Sequence, residues 1–393
     1  MSADPRTLAG AELAEALRDS RAVTLAHTFD LLEWPVPERA GVNRVDWELG
    51  HLAWFAEFWI LRGPHTASAD GRSIEAAQPA RIAGPDAVFD SSRLAHGDRW
   101  RTEMPSREAL AARLEAQLAA CIGAIPAARD DDDDLYFHRL VLLHEDMHAE
   151  AFAWLRATLG WPAPAGLRAM PVLDAGAPLR LDSASVELGR SPKAPGFAFD
   201  NELPGRVVAV APCEIDARPV TAGDYLAFVE AGGYERADWW PGEAGKWRAA
   251  QSVAHPARWA RAADGSWRTR WFDRTVALAL DAPMVHVNAY EAEAWCRWRG
   301  RRLPSAAEWT LAARDPRFGW GGSVWEWTAD AFAPFDGFEP GPYRDYSAPW
   351  FGDHRELKGG SFATQARLHD PCYRNFFTPE RSDVFAGFRS VAC

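Results

Sequence analysis

The sequence predicts an α+β protein with two regions: a four-helix bundle over residues 1–165 and a loop-dominated α+β domain over 166–393. Through the first region apolar residues recur close to a helical period. Trp161-Pro-Ala-Pro-Ala-Gly166 then reads as a linker by composition. After Gly166 the chain changes to short strand-like stretches separated by many Gly and Pro turns.

The first helix is expected over Leu8 to Leu32, with Leu13, Leu17, Leu25 and Phe29 on its apolar face, ended by the Trp34-Pro35-Val36-Pro37 turn. A second begins near Asp46 and runs to Arg62, stopped by Gly63-Pro64. A loop through FDSSRLAHGDRW (Phe89 to Trp100) leads to a third, with Ser106 as N-cap, reaching Ile125. The aspartates Asp130 to Asp134 read as a solvated acidic loop, and they also favour the positive N-terminal end of a fourth helix, Leu135 to Leu159. Beyond Gly166 a pair of helices is expected, Thr221 to Ala231 and Asn288 to Arg299.

At 393 residues, 48% hydrophobic and 25% charged, the chain has the composition of an ordinary globular protein of two or three domains. A net charge of −12 excludes nucleic acid as a general partner, because no basic stripe is present to neutralise phosphates. Twenty Trp against seven Tyr suits indole-packed loops or an indole-lined cleft. The N-terminal residues MSADPRTLAGAELAEAL lack the basic and apolar regions of a secretion signal, and no apolar stretch approaches the ~20 residues of a membrane span. Five scattered cysteines make no disulfide framework and fit a reducing cytoplasm.

Chemistry concentrates in Leu140 to Glu150, LVLLHEDMHAE, where His144 and His148 stand four apart on one helix face. The spacing alone does not separate a metal site from one packed and one solvated imidazole. His51, in the apolar stretch Leu49-Gly50-His51-Leu52, adds a third imidazole from a facing helix of the bundle. Three neutral imidazoles from two helices make a facial site with open positions, suited to Zn(II), Fe(II), Cu or Ni. His138, six residues before His144, points elsewhere.

Two sets of motifs narrow the choice. GHLAWFAEFW and LHEDMHAE resemble the DinB-like helical domain of the ergothioneine-type sulfoxide synthases. FDNELP (Phe199 to Pro204), RPVTAGDYLAFVEAGGY (Arg218 to Tyr234), GRRLPSAAEW (Gly300 to Trp309), SVWEWTAD (Ser323 to Asp330), LKGGSFAT (Leu357 to Thr364) and FAGFR (Phe385 to Arg389) resemble the formylglycine-generating-enzyme, or sulfatase-modifying-factor, domain with its C-type-lectin-like fold. Formylglycine formation uses a cysteine pair in a CYRxRC-like segment; here Cys372 opens CYRNFF and Phe377 stands in the second position, so that activity is not expected.

The resemblance implies a cytoplasmic iron-dependent oxidoreductase that uses Fe(II) and O2 to couple a chalcogen donor to C2 of the imidazole of hercynine. It implies His51, His144 and His148 as iron ligands and Tyr343, in Tyr343-Arg-Asp-Tyr346-Ser347, as the catalytic proton or hydrogen donor. Asn375 is the expected contact of the betaine, with Tyr346 a second residue of that pocket and aromatic faces suited to a quaternary ammonium. The arginine clamps for γ-glutamylcysteine have no match in FDSSRLAHGDRW. Phe377 replaces an acidic residue of some members, Arg381 is kept, and Met147 stands where some have glutamine. The loop most resembles the selenoneine synthases, which form a C–Se bond to a selenosugar, and Arg93, His96 and Arg99 are the residues expected to hydrogen-bond its hydroxyls. The rival expectations are the same chemistry with cysteine or γ-glutamylcysteine in ergothioneine synthesis, a zinc-dependent thiol transferase, and a lectin-like binding protein. A monomer is expected, acting on small molecules with neither nucleic acid nor membrane as partner.

Overall fold

The computed structural model describes residues 4–69, 73–126 and 133–393. It divides into two compact units: Met1–Phe152 with Ala194–Phe199 and Pro340–Tyr346, and Ala153–Lys193 with Asp200–Glu339 and Ser347–Cys393. Mixed helix and sheet make it an α+β protein. Two short segments from beyond residue 166 thus belong to the helical unit. Asp130 to Asp132 of the acidic run lie outside the described residues. No helix among the described residues is long and apolar enough to cross a membrane.

In the first unit α1 (Gly10–Thr28), α2 (Val45–Ala56), α4 (Arg107–Gly123) and α5 (Tyr136–Leu159, of which the part to Phe152 belongs here) are the long helices, and α3 (Asp86–Phe89) is a single turn. Ser106 caps α4, its hydroxyl accepting from the Ala109 amide at 3.2 Å. The first helix ends at Thr28, four residues short of the expected Leu32, and the chain closes there in turns. The second was expected to run unbroken to Arg62, but its last turn, Glu57–Leu61, widens into a π-helix. There the buried Glu57 carboxylate accepts from the amides of Arg81, Ile82 and Ala83 at 2.6–3.2 Å, drawing the following loop back onto the helix. That loop is more structured than the sequence indicated. It holds the antiparallel pair His65–Ala67 and Ile74–Ala76, then α3, then the 3-10 turn His96–Trp100.

Almost every α2 side chain is buried, including Trp47, Leu49, Leu52, Phe55 and Ala56. Each large apolar side chain so buried contributes roughly 1.5–3 kcal/mol, which makes α2 the core element of this unit. Trp47, His51 and Trp54 lie on one of its faces and aim three N–H donors at α3: to the Val88 carbonyl, the Phe89 carbonyl and the Asp86 carboxylate, each at 2.8 Å. Gly50 permits that approach, since a Cβ there would lie 2.1 Å from Cε1 of Phe89. On α5, Glu145, Asp146 and the Ala149 carbonyl face α1. Arg21 donates to Glu145 at 2.6 Å, Ser20 to Asp146 at 2.7 Å, and His27 Nδ1 meets the Ala149 carbonyl at 2.8 Å.

The second unit carries two four-stranded sheets. In one, Arg301–Arg302, Val391–Ala392, Cys213–Ile215 and Leu179–Leu181 follow in that order, all antiparallel. In the other the order is Asn375–Phe377, Arg355–Gly359, Trp325–Ala331 and Ala386–Gly387, the last pair parallel. The two expected helices are present as α6 (Ala222–Glu230) and α8 (Ala289–Trp298). Two more were not expected: α7 (Glu243–Gln251), and α9 (Ala306–Ala312), which at seven residues is too short to set up a readable period. Capping boxes start three of them: Thr221 with Asp224, Asn288 with Glu291, and Ser305 with Glu308.

The second-half motifs meet in this core. Arg389 of FAGFR donates to Glu326 of SVWEWTAD at 2.6 Å, Trp309 of GRRLPSAAEW donates to the same carboxylate at 2.7 Å, and Arg389 covers the Phe318 ring. Glu326 and Arg389 are fully buried and paired, as a buried charge requires. At Gly360, where φ is +146°, a Cβ would lie 2.5 Å from the His369 ring, which accounts for the second glycine of LKGG.

Candidate metal centre

Among the described residues, His51, His144 and His148 form the group of possible metal ligands, with one nitrogen from each inside a 4.8 Å set. The i, i+4 spacing puts His144 and His148 on the face of α5 opposite its α1 contacts, and their rings are 4.6 Å apart. His51 comes from α2, its ring 5.5 Å from each of them.

Each ring is held by its surroundings. His51 Nδ1–H donates to the Phe89 carbonyl, which leaves Nε2 as the nitrogen open to a metal. Its ring stacks on Trp47 at 5.2 Å and an interplanar angle of 8°, with Trp54 at 5.7 Å. His144 stacks on Phe55 at 3.7 Å and 7°. His148 is partly exposed; its Nδ1 is buried, lacks a hydrogen-bond partner, and lies 3.5 Å from Oε1 of the buried Glu48. Burial holds His51 down at about 3 against an ordinary 6.5, with His148 adding to the effect. Burial likewise takes His144 well below the ordinary value, helped by His148 and His51. Both are therefore neutral at physiological pH, which is the ligating form. Converging neutral imidazoles, with a carboxylate and a carbonyl behind two of them, fit a divalent metal ion.

Tyr343 belongs to this unit through the segment Pro340–Tyr346. Its ring is 5.0 Å from Phe55, 6.2 Å from Trp59 and 6.1 Å edge-on from His144. Tyr346 is 6.1 Å from Tyr343, stacks on Phe199 at 4.5 Å, and directs its hydroxyl to Met147 Sδ at 3.7 Å. Phe55, Trp59, Tyr343, Tyr346 and Phe199 so make an aromatic group beside His144.

The loop residues are in this unit too, each engaged within the chain. Arg93 pairs with Asp90 at 3.1 Å, the His96 ring meets the Val42 carbonyl at 2.8 Å, and Arg99 donates to Asn43 at 2.6 Å. Asn375, Phe377 and Arg381 lie in the second unit. Asn375 Oδ1 accepts from the Phe376 amide at 2.9 Å, and Arg381 pairs with Asp383 at 2.8 Å while covering the rings of Phe377 and Trp154. The Cys372 thiol is pushed up to about 12, mainly by burial and then by Asp370, so it is not a ready thiolate. His138 is buried and turned to the Cys121 carbonyl at 3.3 Å.

Sequence reasoning missed the residues behind the three histidines: Trp47, Glu48, Gly50 and Phe89. A glycine next to a buried histidine was the one signal available, and its meaning depends on α3, about forty residues on.

Residues 173–322 and 317–392 match the family model of the sulfatase-modifying factor enzyme 1-like domain. The chain is 31% identical over 394 residues to the hercynine oxygenase of Mycobacterium tuberculosis, covering 87% of this chain and 89% of the relative. It is 31% identical over 442 residues to the hercynine oxygenase of Mycolicibacterium thermoresistibile, with 96% and 94% covered. Similarity to the formylglycine-generating enzyme of Streptomyces coelicolor, 26% over 259 residues, covers 49% of this chain and 82% of that enzyme. The hercynine oxygenase matches therefore extend over the helical half, which carries the histidines.

Proposed function

The chain belongs to the hercynine oxygenase family, with a sulfatase-modifying factor enzyme 1-like domain, and from that premise we propose that this oxidoreductase joins hercynine C2 to a selenosugar in an Fe(II)- and O2-dependent reaction. We read residues 1–165 as a DinB-like bundle and 166–393 as a C-type-lectin-like domain. The observation that carries the reading is the three-histidine group with Tyr343 at 6.1 Å from His144.

His51, His144 and His148 would hold the iron, which when bound would supply O2 reduction by four electrons: two from replacing the hercynine C2–H and donor Se–H by a C–Se bond, and two from oxidising that selenium to the selenoxide, with water as the other product. Tyr343, a phenol against Phe55 and His144, would hold at its hydroxyl the proton or hydrogen that directs the reaction to coupling rather than to simple donor oxidation. Aromatic faces around it suit the quaternary ammonium of hercynine, with Tyr346 as a further contact. Asn375, Phe377 and Arg381 of the second unit we read, from the family resemblance, as substrate-binding residues.

A selenosugar is favoured over γ-glutamylcysteine because the arginine clamps for the carboxylates of γ-glutamylcysteine have no match in FDSSRLAHGDRW, and Arg99 of that segment is held by Asn43. Two donor carboxylates would need uncommitted guanidinium groups. A sugar needs single hydrogen bonds to its hydroxyls, and Arg93, with 37% of its side chain exposed, is the contact we assign.

Protein loaded anaerobically with Fe(II), then given hercynine, O2 and one donor at a time, tests this. Mass spectrometry should find the hercynine–selenosugar adduct. An adduct only with γ-glutamylcysteine or cysteine overturns the selenium assignment, and no adduct with any donor overturns the coupling reaction.

A further inference from the structure

Arg99, in the turn His96–Trp100, reaches two of the three histidines by different routes. Its Nη1 donates to Asn43 Oδ1 at 2.6 Å, and Asn43 Nδ2 donates to Glu48 Oε1 at 3.2 Å. That same Oε1 is the atom 3.5 Å from His148 Nδ1. Separately, the guanidinium carbon sits 3.9 Å over the Trp47 ring, and Trp47 is the ring stacked on His51 at 5.2 Å.

Both routes bear on the metal centre. A ligating histidine is oriented by what its second nitrogen donates to, and Glu48 stands to His148 as the Phe89 carbonyl stands to His51. At 3.5 Å the Glu48 contact is longer than a formed hydrogen bond, so the carboxylate's position decides whether it can orient the ring. Glu48 is only 6% exposed, and a nearby guanidinium offsets the cost of burying its charge. A flat cation on the outer face of Trp47 holds that indole against His51.

We propose that Arg99 is a positioning residue of the metal centre, orienting His148 through Asn43 and Glu48 and His51 through Trp47, and is not a contact of the second substrate. The inference rests on the reading of the histidines as metal ligands.

Its test is an anaerobic Fe(II) titration against a competing chelator, without substrates. Arg99→Ala and Glu48→Gln should each weaken binding about 10- to 100-fold. The double variant should lose less than the product of the two factors, because both act on one chain of contacts. Arg99→Lys should recover part of the loss, keeping a donor for Asn43 and a cation near Glu48 without the flat stack. Asn43→Ala, which leaves the Trp47 stack in place, should weaken binding by a smaller factor. Arg101→Ala, in the same segment and exposed, should bind as wild type. With Co(II) at saturation, Arg99→Ala should show shifted visible absorption bands, which a general loss of stability does not produce. Wild-type Fe(II) affinity and unshifted Co(II) bands in Arg99→Ala, with only the KM of the second substrate raised, would overturn the assignment of Arg99 alone. A wild-type protein that binds no divalent metal would overturn the ligand reading and the inference with it.

Discussion

Glycine at position 50 decides how His51 is held. A Cβ there would sit 2.1 Å from the Phe89 ring, so Gly50→Ala forces Phe89 and the carbonyl that fixes the His51 tautomer to move. Overpacking of this kind costs on the order of 1–3 kcal/mol. Denaturant unfolding of the metal-free variant should show that loss, together with weaker Fe(II) binding. Tyr343→Phe keeps the ring against Phe55 and removes the hydroxyl. The expected result is diversion from C–Se coupling to donor oxidation at similar substrate consumption, read from the product ratio; an unchanged ratio would remove the role assigned to the phenol. The three histidines were legible because two of them share a helix face and the third sits in an all-apolar stretch. Glu48 and Gly50 were not, since both act on segments that only the folded chain brings near.

Helix α5 divides its labour by face. His144 and His148 look toward α2, while Glu145 and Asp146 fasten the helix to α1. Glu145→Ala would leave Arg21 buried with, among the described residues, the Leu114 carbonyl and the Gln117 side chain as partners. Breaking a buried pair costs about 3–5 kcal/mol, and those remaining acceptors place this case toward the lower end. Thermal unfolding of the metal-free protein checks it. The long helices could be read from periodicity because each runs several turns. At seven residues α9 is too short for that, although Ser305 and Glu308 mark its start as a capping box. The π-turn at Glu57–Leu61 and the hairpin, α3 and turn that follow were unreadable because side-chain acceptors on distant residues fix them, not local pattern.

Across the whole molecule, buried imidazoles set a pH dependence. His51 is held to about 3 and His369 to about 4, and His144 and His286 lie well below the ordinary value, burial being the main cause for all four. The unfolded chain takes up protons at these positions below about pH 6.5 that the folded chain refuses, so stability falls as pH drops through that window. Glu291, raised by burial to about 7, opposes this, since folded protein holds its proton while the unfolded carboxyl has lost it. Asp330 and Asp345, raised mainly by burial, oppose it too, and His65 and His138, lowered mainly by burial, add to it, so that six histidines stand against three carboxyls. The metal-free protein should melt at a lower temperature near pH 5 than near pH 7, and a flat or reversed profile would contradict the neutral, buried state of these rings.

The metal itself is the most direct test. Chains loaded anaerobically with Fe(II) and desalted should retain about one iron each, bound through imidazole nitrogen by X-ray absorption. His144→Ala should retain none. Stoichiometric iron and full activity in His144→Ala would contradict the three-histidine centre and the oxygen chemistry assigned to it.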